Sequence, residues 1–141
     1  MNFLDLDKTL TEQEVSAVEN EIAIVFPKPL RAFFLNYNGG SPEPYVYESE
    51  TLNTVVNETL PLISHSNRGT AVQTYRNLVL GKKIVPSCYF PFAVDGGGDY
   101  FFCNCDEVTA PVYFYRSDSY YAQEEPLERI CESLDEFWNQ L

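Results

Sequence analysis

Residues 91–105, PFAVDGGGDYFFCNC, gather many of the side chains in this chain that could hold a ligand. Three glycines lie between Asp95 and Asp99, and Cys103, Cys105 and Asp106 follow closely. A phosphate loop needs GxxxxGK[ST], or GxGxxG leading into a helix. DGGGD fits neither: strand-like YFFCN follows it, so no helix N-terminus faces the loop, and two carboxylates would repel the anion. Calcium would find oxygen ligands in Asp95, Asp99 and Asp106, but the alternating Asp/Asn spacing with a distant Glu is missing. Zinc would need more than Cys103-x-Cys105, because structural sites use CxxC-type knuckles in pairs. The residues read more simply as two strands, Phe90–Val94 and Tyr100–Cys103, joined by a turn. Asp favours such turns, and Gly97 or Gly98 would supply positive φ. No metal or cofactor is expected.

Catalysis is equally thin. A Cys or Ser nucleophile needs a base within hydrogen-bond reach, and His65 is the single histidine, without an HxxxH or HxH partner. It reads as a loop histidine. No GxSxG or HExxH occurs. Cys88, Cys103, Cys105 and Cys131 are expected to be free, mostly buried thiols, since no basic n-region with an apolar stretch opens the chain and a cytoplasmic location follows. The protein is therefore expected not to be an enzyme.

Charge says more. The chain has 21 Asp and Glu against 9 Lys and Arg, a net charge of −12. That disfavours nucleic acid and anionic membrane as partners and favours a basic one. At 45% hydrophobic the chain is too apolar for disorder, and 141 residues suit one domain, 1–141.

The elements that would position these residues can be read from periodicity. Thr11-Glu12-Gln13-Glu14 is a capping box, and Val15, Val18, Ile22 and Val25 recur behind it, which predicts a helix ending before Pro27. Pro29 suits the first turn of a second helix bearing Leu30, Phe33, Phe34 and Tyr37, stopped at Asn38-Gly39-Gly40. Short Tyr/Val/Thr runs over 41–64 predict strands. Helical spacing returns over 67–80, with Ser66 or Asn67 as cap and Gly81 as stop. YFPFAV, YFFCN and PVYFYR predict further strands, and Ser133-Leu134-Asp135-Glu136 opens a last helix carrying Phe137, Trp138 and Leu141. Blocks in this order predict an α+β fold: a mostly antiparallel sheet packed with helices from the N-terminus, middle and C-terminus.

Taken together, FPKPLRAFFLNYNGGSPEP, IVPSCYFPFAVDGGGDYFFCNC, APVYFY and ICESLDEFWNQL, after an acidic helix, resemble the SUKH superfamily, which includes the yeast Smi/Knr cell-wall regulator domain and many bacterial immunity proteins. The resemblance runs from about residue 12 to the end. It departs where Leu134 replaces a common aromatic and where three glycines fill the turn, and it leaves 44–83 unassigned. It implies an α+β domain without shared catalytic residues, and a binding protein that neutralises a cognate polymorphic toxin. The acidity points to a basic, nuclease-type toxin. The alternative is a general interaction or scaffold domain with a housekeeping partner. Between Arg31 and Arg68 there is no cation, and the same holds from Ile84 to Tyr115. The expected partner surface therefore takes Glu43, Tyr45, Tyr47, Glu48, Glu50, Asp106, Asp118 and Tyr120, on a protein that is a monomer or weak dimer. If that surface is not used, the helix expected to carry Arg68 and Arg76 is the other candidate.

Overall fold

A computed structural model describes residues 1–118 and 125–141. Tyr120 lies outside the described residues, as does Tyr121. The fold is α+β, with a mostly antiparallel, curled sheet.

Helix α1 (Glu12–Ile22) starts where the sequence places it: Thr11 Oγ1 accepts from Glu14 N at 3.1 Å, and Glu14 returns the bond to Thr11 N at 3.0 Å. Val15, Val18 and Ile22 are buried. The helix stops one turn earlier than expected. Ala23 takes φ +58°, its N–H bonds back to Glu19, and Val25 emerges 81% exposed instead of extending the apolar face. Helix α2 (Lys28–Asn36) has Pro29 in its first turn and buries Leu30, Phe33 and Phe34. Arg31 ties it to α1 through ion pairs with Glu12 and Glu19 and a hydrogen bond to Ser16. Beyond α2, Asn38 does more than end a helix. Its buried amide donates to Lys8 O and Ile63 O and accepts from Leu62 N, joining three segments. Gly39, at φ +63°, allows the chain to pass so near Pro61 that a Cβ would come within 2.7 Å of it.

Two strands were not anticipated. β1 (Asn2–Leu4) pairs with β2 (Ser41–Glu43) as a separate antiparallel ribbon. Then β3 (Val46–Glu48), β4 (Asn53–Thr59), β5 (Tyr89–Asp95), β6 (Tyr100–Asn104), β7 (Val112–Tyr115) and β8 (Leu127–Cys131) form a sheet in sequence order, each strand antiparallel to the next. β8 is the second strand that periodicity missed. Its sequence, LERIC, alternates weakly and is mostly half-buried.

Helix α3 (Ala71–Thr74) continues as a π-helical stretch, Tyr75–Gly81, between β4 and β5. Its cap is Thr70, whose hydroxyl accepts from Gln73 N and whose own N–H the Gln73 side chain accepts from, rather than Ser66 or Asn67. Arg68 therefore precedes the helix and does not share it with Arg76. Helix α4 (Leu134–Asn139) starts at Ser133, which caps Glu136 N, and buries Leu134 and Phe137.

Strand alternation assigns the two faces of the sheet. Phe90, Phe92, Phe101 and Phe114 face the helices, where Phe92 and Phe101 meet Phe137 with ring centroids 5.7 and 5.2 Å apart. Trp138 closes this cluster against Phe33 and Phe92. On the opposite face Val94 and Tyr100 are neighbours across β5 and β6, and Tyr89 and Tyr113 meet edge to face at 4.9 Å; all four are partly exposed. The curl brings β3 and β8, the two outer strands, together. The Tyr47 hydroxyl donates to Ile130 O at 3.0 Å, and its ring stacks on Phe137 at 5.2 Å.

Candidate partner-binding surface

The glycine loop is a turn, and its polar groups are already engaged. Asp95 is buried; its Oδ1 accepts from Gly97 N (2.9 Å) and Asp99 N (2.8 Å), and its Oδ2 accepts from Thr54 Oγ1 (2.9 Å). Asp95 N and Asp99 O close the hairpin at 2.8 Å. Of the loop's glycines only Gly98 has a left-handed φ, +91°; Gly97 does not, which corrects the sequence expectation for that residue. Among the described residues no group of three or more His, Cys, Asp or Glu is placed to hold a metal ion.

The thiols are free, with Cys103 and Cys131 buried and Cys88 and Cys105 partly so. Burial raises all four above the usual thiol range, so none is poised as a thiolate. His65 is exposed on a loop anchored by Asp7.

Strand direction sorts the acids into two groups. The β3–β4 turn (49–52), the β5–β6 turn (96–99) and residues 116–118 and 125–126, which follow β7 and precede β8, emerge at one end of the sheet, and the β6–β7 connection (105–111) at the other. Glu48, Glu50, Asp99, Asp118 and Glu125 belong to the first end. The Arg116 guanidinium holds that end together by donating to Thr51 O at 2.9 Å and pairing with Glu128, which also accepts from the Thr51 hydroxyl. Asp106, also exposed, sits at the opposite end, so one surface does not unite it with Glu48, Glu50 and Asp118. Glu43 and Tyr45 flank the start of β3 and are exposed.

Tyr47 does not belong to any surface. It has no solvent exposure, because period-2 alternation turns it inward between exposed Val46 and Glu48. Alternation alone gives Tyr45 and Tyr47 the same face; what separates them is that β3 begins after Tyr45, and that the sheet's curl sets Tyr47 against α4.

Pairing shapes the charge further. Every arginine is in an ion pair: Arg31 with Glu12 and Glu19, Arg68 with Asp7 and Glu58, Arg76 with Glu21, Arg116 with Glu128, and Arg129 with Glu107 and Glu132. The four lysines make no such pair among the described residues. Lys82 and Lys83 lie just before β5, at the sheet end opposite the acidic turns, while Lys8 and Lys28 flank α1. Spacing along the chain could not have disclosed this, since Arg116 and Thr51 are 65 residues apart.

The chain matches the SMI1 / KNR4 family (SUKH-1) over residues 9–140. It belongs to that family. Neither the curated proteins nor the solved structures contain a match to it. No helix among the described residues is long and apolar enough to cross a membrane.

Proposed function

We propose that this chain is an immunity protein that binds and neutralises a cognate polymorphic toxin, a basic one of the nuclease type, by protein–protein contact at the acidic end of its sheet. The observation that carries the proposal is the separation of charge. Glu48, Glu50, Asp99, Asp118 and Glu125 crowd one end, its one arginine is consumed by Glu128, and the lysines lie elsewhere. A nuclease cleft must be basic to hold its substrate's phosphates. An acidic surface both attracts such a cleft and competes for it. Family membership supports the class of protein, and the raised thiols and isolated histidine support a role without catalysis.

The test is direct. The toxin domain encoded beside this chain's gene, purified in inactive form, is expected to bind it one to one, and the active form is expected to lose activity on titration with it. A housekeeping neighbour, or a toxin domain that neither binds nor is inhibited, would overturn the proposal in favour of a general interaction domain.

A further inference from the structure

The outer face of the β3–β4 hairpin carries an apolar patch that the core does not use. Val46 and Val55 are directly opposed across the two strands, and they remain 43% and 38% exposed. β-Branched cross-strand pairs normally gain by packing under a neighbour, yet here the helices lie on the other face, where Tyr47 and Val56 are buried. Beside the pair runs a groove of about 530 Å³ between β4 and the glycine turn, lined among others by Glu58, Arg68, Val94, Gly96 and Tyr100. Register continues the patch into it. A bulge after Val56 sets Glu58 opposite Val94, and Val94 opposite Tyr100.

The glycine turn is what leaves this groove open. A Cβ on Gly96 would meet only Val55, at 3.7 Å, and Gly98 has open space around it. Gly96 has no left-handed φ, so its backbone does not demand glycine. Glu48 shares the outer face of β3 with Val46, Glu43 lies a few residues before that strand, and Glu58 in the groove is paired with Arg68.

We infer that Val46 and Val55, with the adjoining groove, form the desolvated centre of the toxin contact, and that the neighbouring glutamates form its rim. The occupant is a basic protein surface that projects an apolar side chain into the groove. Charge complementarity selects it: an apolar pair beside Glu48, on a chain of net charge −12, fits lysines and arginines set around an apolar knob and repels a second copy of this chain. Binding energy concentrates in such anchors while the surrounding polar ring excludes water. The inference rests on the proposed immunity function and assigns the two halves of the surface different kinetic roles.

Three variants test it: Val46→Ser, Val55→Ser and Gly96→Gln, the last placing a side chain over Val55. Each is measured by surface plasmon resonance against the inactivated toxin domain encoded beside the gene, and by thermal melting. The expected result is dissociation faster by about tenfold or more for each, since interface anchors typically cost at least that much. Association rates, their salt dependence and the folded circular dichroism spectrum should stay as in the wild type. Wild-type dissociation rates in all three variants would overturn the inference and leave the immunity function standing. Failure of the wild-type protein to bind would overturn both.

Discussion

Asp7 shows how a single residue can hold a segment without regular structure. Burial pushes its carboxyl up, but hydrogen bonds from Lys8 N, Ser64 Oγ, His65 N and Ser66 Oγ outweigh that and bring it down to about 2. Arg68 adds an ion pair at 3.7 Å. Because the folded pKa lies below the unfolded value, this stabilisation is present above about pH 4 and is lost as pH falls toward 2. Asp7→Asn is therefore expected to lower stability at pH 7 by about 1–3 kcal/mol. The gap to the wild type should narrow as both are unfolded by urea at successively lower pH. A gap constant from pH 7 to pH 3 would show that the carboxylate does not anchor the 64–68 loop. Tyr47→Phe is a second residue-scale test. It removes the hydroxyl bonded to Ile130 O, and with that carbonyl left without its donor it is expected to cost about 1 kcal/mol of stability by urea unfolding while leaving toxin binding unchanged. A change in binding with unchanged stability would return Tyr47 to the surface.

At the scale of elements, the β5–β6 turn separates what glycine does for backbone from what it does for space. Gly98 sits at φ +91°, where an L side chain is strained, so Gly98→Ala is expected to lower stability by about 1–3 kcal/mol. Gly97→Ala should change it by no more than about 0.5 kcal/mol, because its Cβ would meet only the Asp95 carboxylate, at 3.6 Å or more. Parallel thermal melts of the two variants decide this, and equal losses would mean that both positions need left-handed backbone. The same turn depends on Asp95, whose carboxylate replaces a ligand's role with three internal hydrogen bonds. The seam between β3 and β8 is an element-scale device of another kind. The Tyr47 side chain on β3 and that of Thr51 in the β3–β4 turn reach β8, and Arg116 bonds the same turn. β3 is only three residues long, which blunts an edge that would otherwise invite pairing with another chain.

For the whole molecule, pairing of every arginine leaves an outward field dominated by carboxylates at one end. Exposed acids add little to folding, so Glu48→Lys, Glu50→Lys and Asp118→Lys should each shift stability by less than about 1 kcal/mol. Facing a basic toxin, each reversal is expected to slow association several-fold at low salt, and the difference should fade above physiological ionic strength. Asp106→Lys, at the other end, is expected to have a much smaller effect. Stopped-flow association at two salt concentrations checks this. Equal slowing by Asp106→Lys would mean that net charge alone steers the encounter, and unchanged rates for the first three would place the contact elsewhere, with Arg76 and its helix the next surface to test.

Much of the architecture was legible in the sequence because it is set locally. Thr11-Glu14 and Ser133 announce helix starts through their own side chains, and the runs around the glycines alternate as strands must. The turn character of DGGGD, the α+β order and the family resemblance all follow from such short-range signals. What proximity in the chain could not supply was decided by tertiary structure. β1 is three residues long and pairs with a strand about forty residues away, so no local pattern distinguishes it. Val25 fits a helical stripe, but the chain turns at Ala23 and leaves it in water. In the candidate surface, Tyr47 lies within β3 and turns inward while Tyr45 precedes the strand and stays exposed, strand direction sent Asp106 to the far end, and ion pairs over long separations took the arginines out of play. Composition counts charges, but a field depends on where they stand and what they touch, and only the folded chain sets those distances.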